Sequence, residues 1–293
     1  MRLSEPLPDH CVFVIGACAF SNRDWGIWQG LDMNIEVGER QFDVIAPQQS
    51  LQENWLLTLP SRAWAWELLR RNPDYVATFD RHCAQEAASS ESAGRWGLLK
   101  LEDPAKSSLE ADAFWRNDVS RDVLPLVAQP LTAEATVSTM DLTKLRCRAV
   151  QFGNSDGTRE FLFSENGRAL QVSVTGDTPI EEALLLTPAL PALRYGSGRF
   201  LAVKRFADLA KTSTLRSSLY PAEKSAKRLS DVLAALDGWR QGLPHREIAT
   251  QIFGSAQVSR AWNDSGNHLR DRVRRAIRYG RDLMEGGYRN FLK

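Results

Sequence analysis

Residues 265–284 read Ser265-Gly266-Asn267-His268-Leu269-Arg270-Asp271-Arg272-Val273-Arg274-Arg275-Ala276-Ile277-Arg278-Tyr279-Gly280-Arg281-Asp282-Leu283-Met284. Wound as a helix at about 100° per residue, this stretch sorts by chemistry. Leu269, Val273, Ala276, Ile277, Gly280, Leu283 and Met284 fall within about 120° of arc, a width suited to packing on a core. Asn267, Arg270, Arg274, Arg278 and Arg281 line up on the opposite side. Between 266 and 281 there are six Arg and one Asp, a local charge of +5. A solvated helix face ordinarily mixes signs. This one is nearly all arginine, which points to contact with DNA.

Working outward, the rest of the chain makes that stretch stand out further. The whole protein is close to neutral, with 37 Lys/Arg against 36 Asp/Glu. From Pro221 to Lys293, however, 14 Lys/Arg face 8 Asp/Glu, so this part carries +6 and the preceding 220 residues carry −5. A basic C-terminal module on a mildly acidic body implies one nucleic-acid surface and a different task for the rest. At 293 residues, 25% charged and 43% apolar, the chain has the make-up of a soluble globular protein of two or three domains. Cys11, Cys18, Cys83 and Cys147 show no CxxC spacing, and no signal peptide is evident. Reduced thiols in a cytoplasm are therefore expected. The apolar run Cys11 to Phe20 is too short to span a membrane and has no basic lead, so it reads as a buried strand.

The punctuation of the sequence suggests an α+β, multidomain protein with small antiparallel sheets, helical segments and an all-helical C-terminal domain. Residues 1–58 are β-rich, with a strand at Val12–Ile15 and a hairpin whose strands, 33–37 and 41–45, flank Gly38-Glu39-Arg40. Residues 59–127 are tryptophan-rich and helical, with helices after Pro60-Ser61 and after Asn72-Pro73-Asp74 and another over 111–124. Their aromatic side chains could stack bases, but a core or a partner surface is the more ordinary use. Residues 128–140 read as a linker. Residues 141–211 read as an antiparallel meander, 146–152, 159–163 and 169–174, turned at Asn154-Ser155-Asp156-Gly157 and Glu165-Asn166-Gly167. Helices over 180–186 and 200–209 are expected to cover it. Residues 212–293 begin with a Ser/Thr-rich linker to 219. A helix follows Pro221, a second runs from Pro244 to Gly254, a short segment covers 255–262, and the basic helix comes last.

That order is the outline of a helix-turn-helix DNA reader. His245, Arg246 and Glu247 open the supporting helix, where side chains commonly meet phosphate. On the basic helix, Asn267 suits adenine, and Arg270 or Arg274 suits guanine. His268 reads as a groove-facing or capping residue. Arg275, Arg278 and Arg281 lie further along and suit phosphates. The gap from Gly254 to Ser265 is longer than a standard turn. A second arrangement therefore stays open, in which 255–262 enters the groove and Gln257 and Arg260 read bases.

Signals for catalysis are weak. The four histidines form no metal-ligand spacing, and no cofactor or metal is called for. No GxSxG or GxxxxGK[ST] occurs. Gly196-Ser197-Gly198 lacks a third glycine. His268 and Arg270 with Tyr279 or Tyr288 miss the His-x-x-Arg…Tyr spacing of tyrosine recombinases. The protein is read as having no catalytic site.

The run from Arg228 to Gly238, with Arg246-Glu247-Ile248-Ala249, Ile252-Phe253-Gly254, Trp262, Leu269 to Arg275, and Met284 to Arg289, resembles a proteobacterial domain. That domain occurs in activators and antiactivators of integrative and conjugative elements, of FseA-like and QseM-like type. The resemblance covers roughly 140–293. Upstream, Ala65 to Tyr75 and Trp96-Gly97-Leu98 resemble the transcriptional-regulator-like domain that accompanies it in the excision activator. The resemblance implies an activator of element excision and transfer that binds double-stranded promoter DNA and contacts RNA polymerase. It also implies restraint by a small antiactivator. No membrane partner is expected, as the apolar run Cys11 to Phe20 is too short to span. Two rival readings remain at this stage: a regulator that docks another protein through its basic helix, and an architectural accessory factor in recombination.

Overall fold

The computed structural model describes residues 13–15, 55–85, 90–130, 138–140, 145–154, 156–176, 184–188, 197–262 and 268–293. The hairpin expected over 33–45 lies outside them, as does Asn267.

The tryptophan-rich part is built from α1 (Ser61–Leu69), α2 (Pro73–Gln85) and the short α3 (Ser90–Gly94). Asn72 stops one helix and starts the next. Its Oδ1 accepts the backbone N–H groups of Asp74 (2.8 Å) and Tyr75 (3.2 Å), and Pro73 occupies the first helical position without needing a donor. Trp64, Trp66, Trp96 and Trp115 are buried, so this cluster is core and offers no platform for bases. Tyr75 stands edge-on between Trp66 and Trp96, with ring centroids 5.7 and 5.5 Å away.

The helix expected over 111–124 does not form. Trp115 pairs with Leu98 in an isolated β-bridge. Its backbone N–H donates to Gln171 Oε1 (2.9 Å), and its carbonyl accepts from Gln171 Nε2 (2.8 Å). A helix would have kept those groups for itself. The chain then enters strand β2 (Val123–Pro130), whose last residues fall in the expected 128–140 linker.

One seven-stranded sheet replaces the separate small antiparallel sheets. β1 (Phe13–Ile15), β3 (Ser138–Met140), β4 (Arg148–Gly153), β5 (Arg159–Glu165), β6 (Arg168–Thr175) and β7 (Leu184–Pro188) join β2 in the order β3-β1-β7-β2-β6-β5-β4. The β4–β5–β6 meander is antiparallel as expected, but β2 runs parallel to β6, and β1 parallel to β3. The helix expected over 180–186 is overturned where the chain is described. Leu184 to Leu186 pair with β1 on one side and β2 on the other, and two ladders outweigh the helical preference of the leucines.

α4 (Ser197–Thr212) covers one face of the sheet. Ala202, Val203, Phe206 and Leu209 pack on Leu124, Leu126, Phe161, Phe163, Leu170, Val172 and Val174. The Ser/Thr-rich stretch that follows is anchored to this layer. Leu215 and Tyr220 are buried with it, and the Leu215 N–H donates to Glu165 Oε2 (2.9 Å).

The C-terminal helices are α5 (Ala226–Arg240), α6 (His245–Phe253), α7 (Ser255–Ala261) and α8 (His268–Met284), closed by a 3-10 turn over Gly287–Leu292. They divide their apolar surface between two cores. Ala235, Ile248, Ala249, Val258, Leu269, Val273 and Ile277 form a small core of their own. Ala226, Leu229, Val232, Leu233, Leu283, Tyr288 and Leu292 join the tryptophan-rich core. Buried polar contacts reinforce the second junction. Tyr288 donates to the Trp96 carbonyl (2.9 Å), Asn72 Nδ2 to the Met284 carbonyl (3.1 Å), and Arg71 Nε to Asp237 Oδ1 (2.8 Å). The base of α8 is thus set in a core shared by the first and last parts of the chain.

Candidate nucleic-acid interface

α6 is amphipathic over its nine residues. Ile248 and Ala249 are buried, while His245, Arg246, Glu247 and Gln251 are exposed. It ends at Gly254, whose φ of +83° is open to glycine and strained for other residues. The same glycine immediately precedes α7, so a single residue makes the corner between the two helices. α7 buries Val258 and exposes Gln257 and Arg260, and Arg260 Nε folds back onto the Ala256 carbonyl (3.2 Å).

α8 presents the face that its sequence periodicity demands. Leu269, Val273, Ile277, Gly280, Leu283 and Met284 are buried. Gly280 allows the closest approach to α5. A Cβ there would stand 3.2 Å from both Leu236 Cβ and Val232 Cγ1, and 3.4 Å from the Val232 carbonyl oxygen. Larger residues would push α8 off its support.

His268, Arg272, Arg274, Arg275, Arg278 and Arg281 are exposed, and Arg270 is half-buried. These cations are not equivalent. The Arg270 guanidinium lies 5.2 Å from the Trp262 ring at the end of α7, and that of Arg272 lies 4.2 Å from Phe253 at the end of α6. The two stacks tie the first turn of α8 to both preceding helices. Arg281 lies 4.9 Å from the half-exposed Trp239 ring and 3.5 Å from Glu285. Arg274 is 3.5 Å from Asp271, and Arg275 Nε donates to the Asp271 carbonyl at 3.3 Å. Arg278 has no carboxylate partner among the described residues. Exposed pairs at these distances are worth little, so a phosphate can displace them at small cost. Arg274, Arg278 and Arg281 follow at intervals of four and three residues. Their side chains are therefore neighbours on one helix surface.

The structure brings His245, Arg246, Gln257, Arg260, His268, Arg270, Arg274, Arg275, Arg278 and Arg281 onto one helical unit with a common core. Sequence periodicity did not single out Arg272 or Trp239, because the partner that gives each a role lies on another helix. Among the described residues no group of three or more His, Cys, Asp or Glu side chains could hold a metal ion, and no helix is long and apolar enough to cross a membrane.

The supporting helix α6, a one-residue corner into the short α7, and the arginine-faced α8 share one core and form a compact helical unit carried on a larger α+β body. The comparisons give that unit its class. Residues 189–293 match the family described as T6SS, transcription factor, DNA binding domain, and residues 48–99 match the proteobacterial transcriptional regulator-like domain. Both are domains of transcriptional regulators, and together they support a DNA-binding transcriptional regulator. No curated protein matches the chain.

Proposed function

We propose that this protein is a transcription activator that binds promoter DNA through its C-terminal helices, contacts RNA polymerase, and controls excision and transfer of an integrative and conjugative element. The observation that carries the DNA-binding part is the outer face of α8, where Arg274, Arg275, Arg278 and Arg281 stand exposed on a helix whose other side is buried. In this reading α8 enters the major groove, and Asn267 and Arg274 face base edges. Arg270 braces the start of the helix against Trp262, while Arg275, Arg278 and Arg281 hold phosphates. His245 and Arg246 at the start of α6 meet the adjoining backbone. A small antiactivator resembling the C-terminal module would compete for it.

Neutralising about four phosphates through the helical unit should contribute about −3.6 to the slope of log affinity against log salt. Replacing Arg275 and Arg278 together by Ala is expected to weaken binding on every sequence and to make that slope shallower by about 1.8. A salt-independent affinity for the wild type, measured by fluorescence anisotropy on promoter DNA, would sink the reading. Asn267→Ala should instead leave binding to random DNA unchanged and relax preference at one base position by about 1–3 kcal/mol. Equal losses on specific and random duplexes would reassign it to the backbone.

A second reading of the regulated genes comes from the family matched over 189–293, which is that of a T6SS transcription factor. Transcript profiling of a deletion strain separates the two. Loss of excision and transfer transcripts supports the mobile-element reading, and loss of secretion transcripts supports the alternative.

A further inference from the structure

Beyond α8 the positive charge resumes at the foot of the same unit. The final 3-10 turn carries Arg289 and leads to Lys293. Arg289 donates to the Arg95 carbonyl just past the end of α3, with its guanidinium 5.3 Å from the Tyr288 ring. The backbone N–H of Arg121 donates to the Leu292 carbonyl at 2.8 Å, which brings the loop before β2 beside the chain terminus. Arg95, Arg121 and Lys293 are exposed and line one open cleft against the sheet.

The carboxylates that line the same cleft, Asp118, Asp156 and Glu160, and nearby Asp122 have partners of their own. Asp118 is held by Arg116 through two bonds of 2.9 Å, and Asp122 by Arg205 at 3.1 Å. Glu160 is buried and accepts from Gln171 and Ser173, and Asp156 accepts the Thr158 N–H. Among the described residues, none of them pairs with Arg95, Arg121 or Lys293. Three segments distant in sequence therefore bring cations without a carboxylate partner among the described residues to one cleft.

We propose that Arg95, Arg121 and Lys293, with Arg289 behind them, form a second contact with the phosphate backbone of duplex DNA, outside the helix-turn-helix unit. This rests on the DNA-binding reading above. The three cations are exposed, which suits a long polyanion; Arg95 lies 4.5 Å from the Trp96 ring and Lys293 Nζ donates to Asn290 Oδ1 (3.1 Å), and neither contact neutralises their charge. The buried cation of the cleft, Arg199, donates to the Val123 and Asn117 carbonyls and to Asn117 Oδ1, so it is engaged with the fold.

The test uses the full chain, a labelled mixed-sequence duplex of about 40 base pairs, and anisotropy titrations between about 50 and 200 mM salt. The variant carrying R95A, R121A and K293A together is expected to lose at least about tenfold in affinity at the lowest salt. Its salt slope should be shallower by about 2.7, close to 0.9 for each phosphate released. R121E alone should move both quantities in the same direction, which covers the case in which the triple variant folds poorly. A triple variant with wild-type slope and affinity overturns the second contact and leaves the α8 reading standing. A wild-type protein that fails to bind the duplex at any salt overturns both. If the triple variant keeps wild-type DNA binding but loses calorimetric binding of inorganic pyrophosphate that the wild type shows, the patch serves a small phosphorylated ligand and the DNA assignment is wrong.

Discussion

Trp115→Ala lowers the free energy of unfolding by about 3–5 kcal/mol, the expected cost of emptying a large buried aromatic site. The side chain is fully buried, and its backbone is gripped on both sides by Gln171. Its ring centroid lies 6.1 Å from that of Tyr288, which follows α8. Against a total stability of about 5–15 kcal/mol, such a loss brings the protein near its folding threshold. The loss should also reach the DNA-binding unit, since Tyr288, Leu283 and Leu292 share that core with Trp64, Trp66 and Trp115. Urea denaturation followed by tryptophan fluorescence and by far-UV dichroism measures it. A loss below about 1 kcal/mol would mean that the C-terminal helices stand without the tryptophan-rich region. By the same logic, residues 212–293 expressed alone expose half of a core, so they are a poor substitute for the full chain in binding assays.

Glu67→Gln is the second large effect, about 3 kcal/mol at neutral pH. Glu67 is fully buried on α1. Burial alone would raise its pKa, but Arg71 and Arg70 beside it, with the Ser108 N–H, hold it below the ordinary glutamate range. A carboxylate depressed in the folded state stabilises fully above its unfolded pKa of about 4.3 and loses that contribution as pH falls through the folded value. Wild type should therefore lose stability faster than the glutamine variant as pH falls from about 5, and the gap between them should narrow. Parallel pH profiles in urea melts at pH 7 and pH 4 would count against this account. The site also bears on function. Arg71 bridges Glu67 to Asp237 on α5, so the pair links the regulator-like region to the helix that supports α8.

How much was legible in the sequence depends on the kind of interaction that fixes each element. α8 was readable because one helix decides its own two faces. The positions that repeat every three to four residues are buried in the structure, and most of the arginines between them are exposed. Asn72-Pro73 announced a helix boundary because a cap and a fixed φ act within three residues. The β4–β5–β6 meander was readable from alternating side chains and tight turns. Residues 111–124 and 184–186 were misread as helices. Gln171 or the flanking strands supply partners from far along the chain, and these override local preference, even that of three consecutive leucines.

The sequence by itself determined the helical period of α8, the sign of the charge along it, and the glycine that turns α6 into α7, since each depends on residues within a few positions of one another. Only the tertiary structure decided what those arginines are for individually. Arg270 and Arg272 are drawn onto Trp262 and Phe253, Arg281 onto Trp239, and Arg278 is left without a carboxylate among the described residues. It also decided that the C-terminal helices are seated in the tryptophan core and that Arg95, Arg121 and Lys293 line one cleft. The physical reason is that stacking, ion pairing and burial are settled by side chains on different elements, and packing chooses those neighbours where local periodicity cannot.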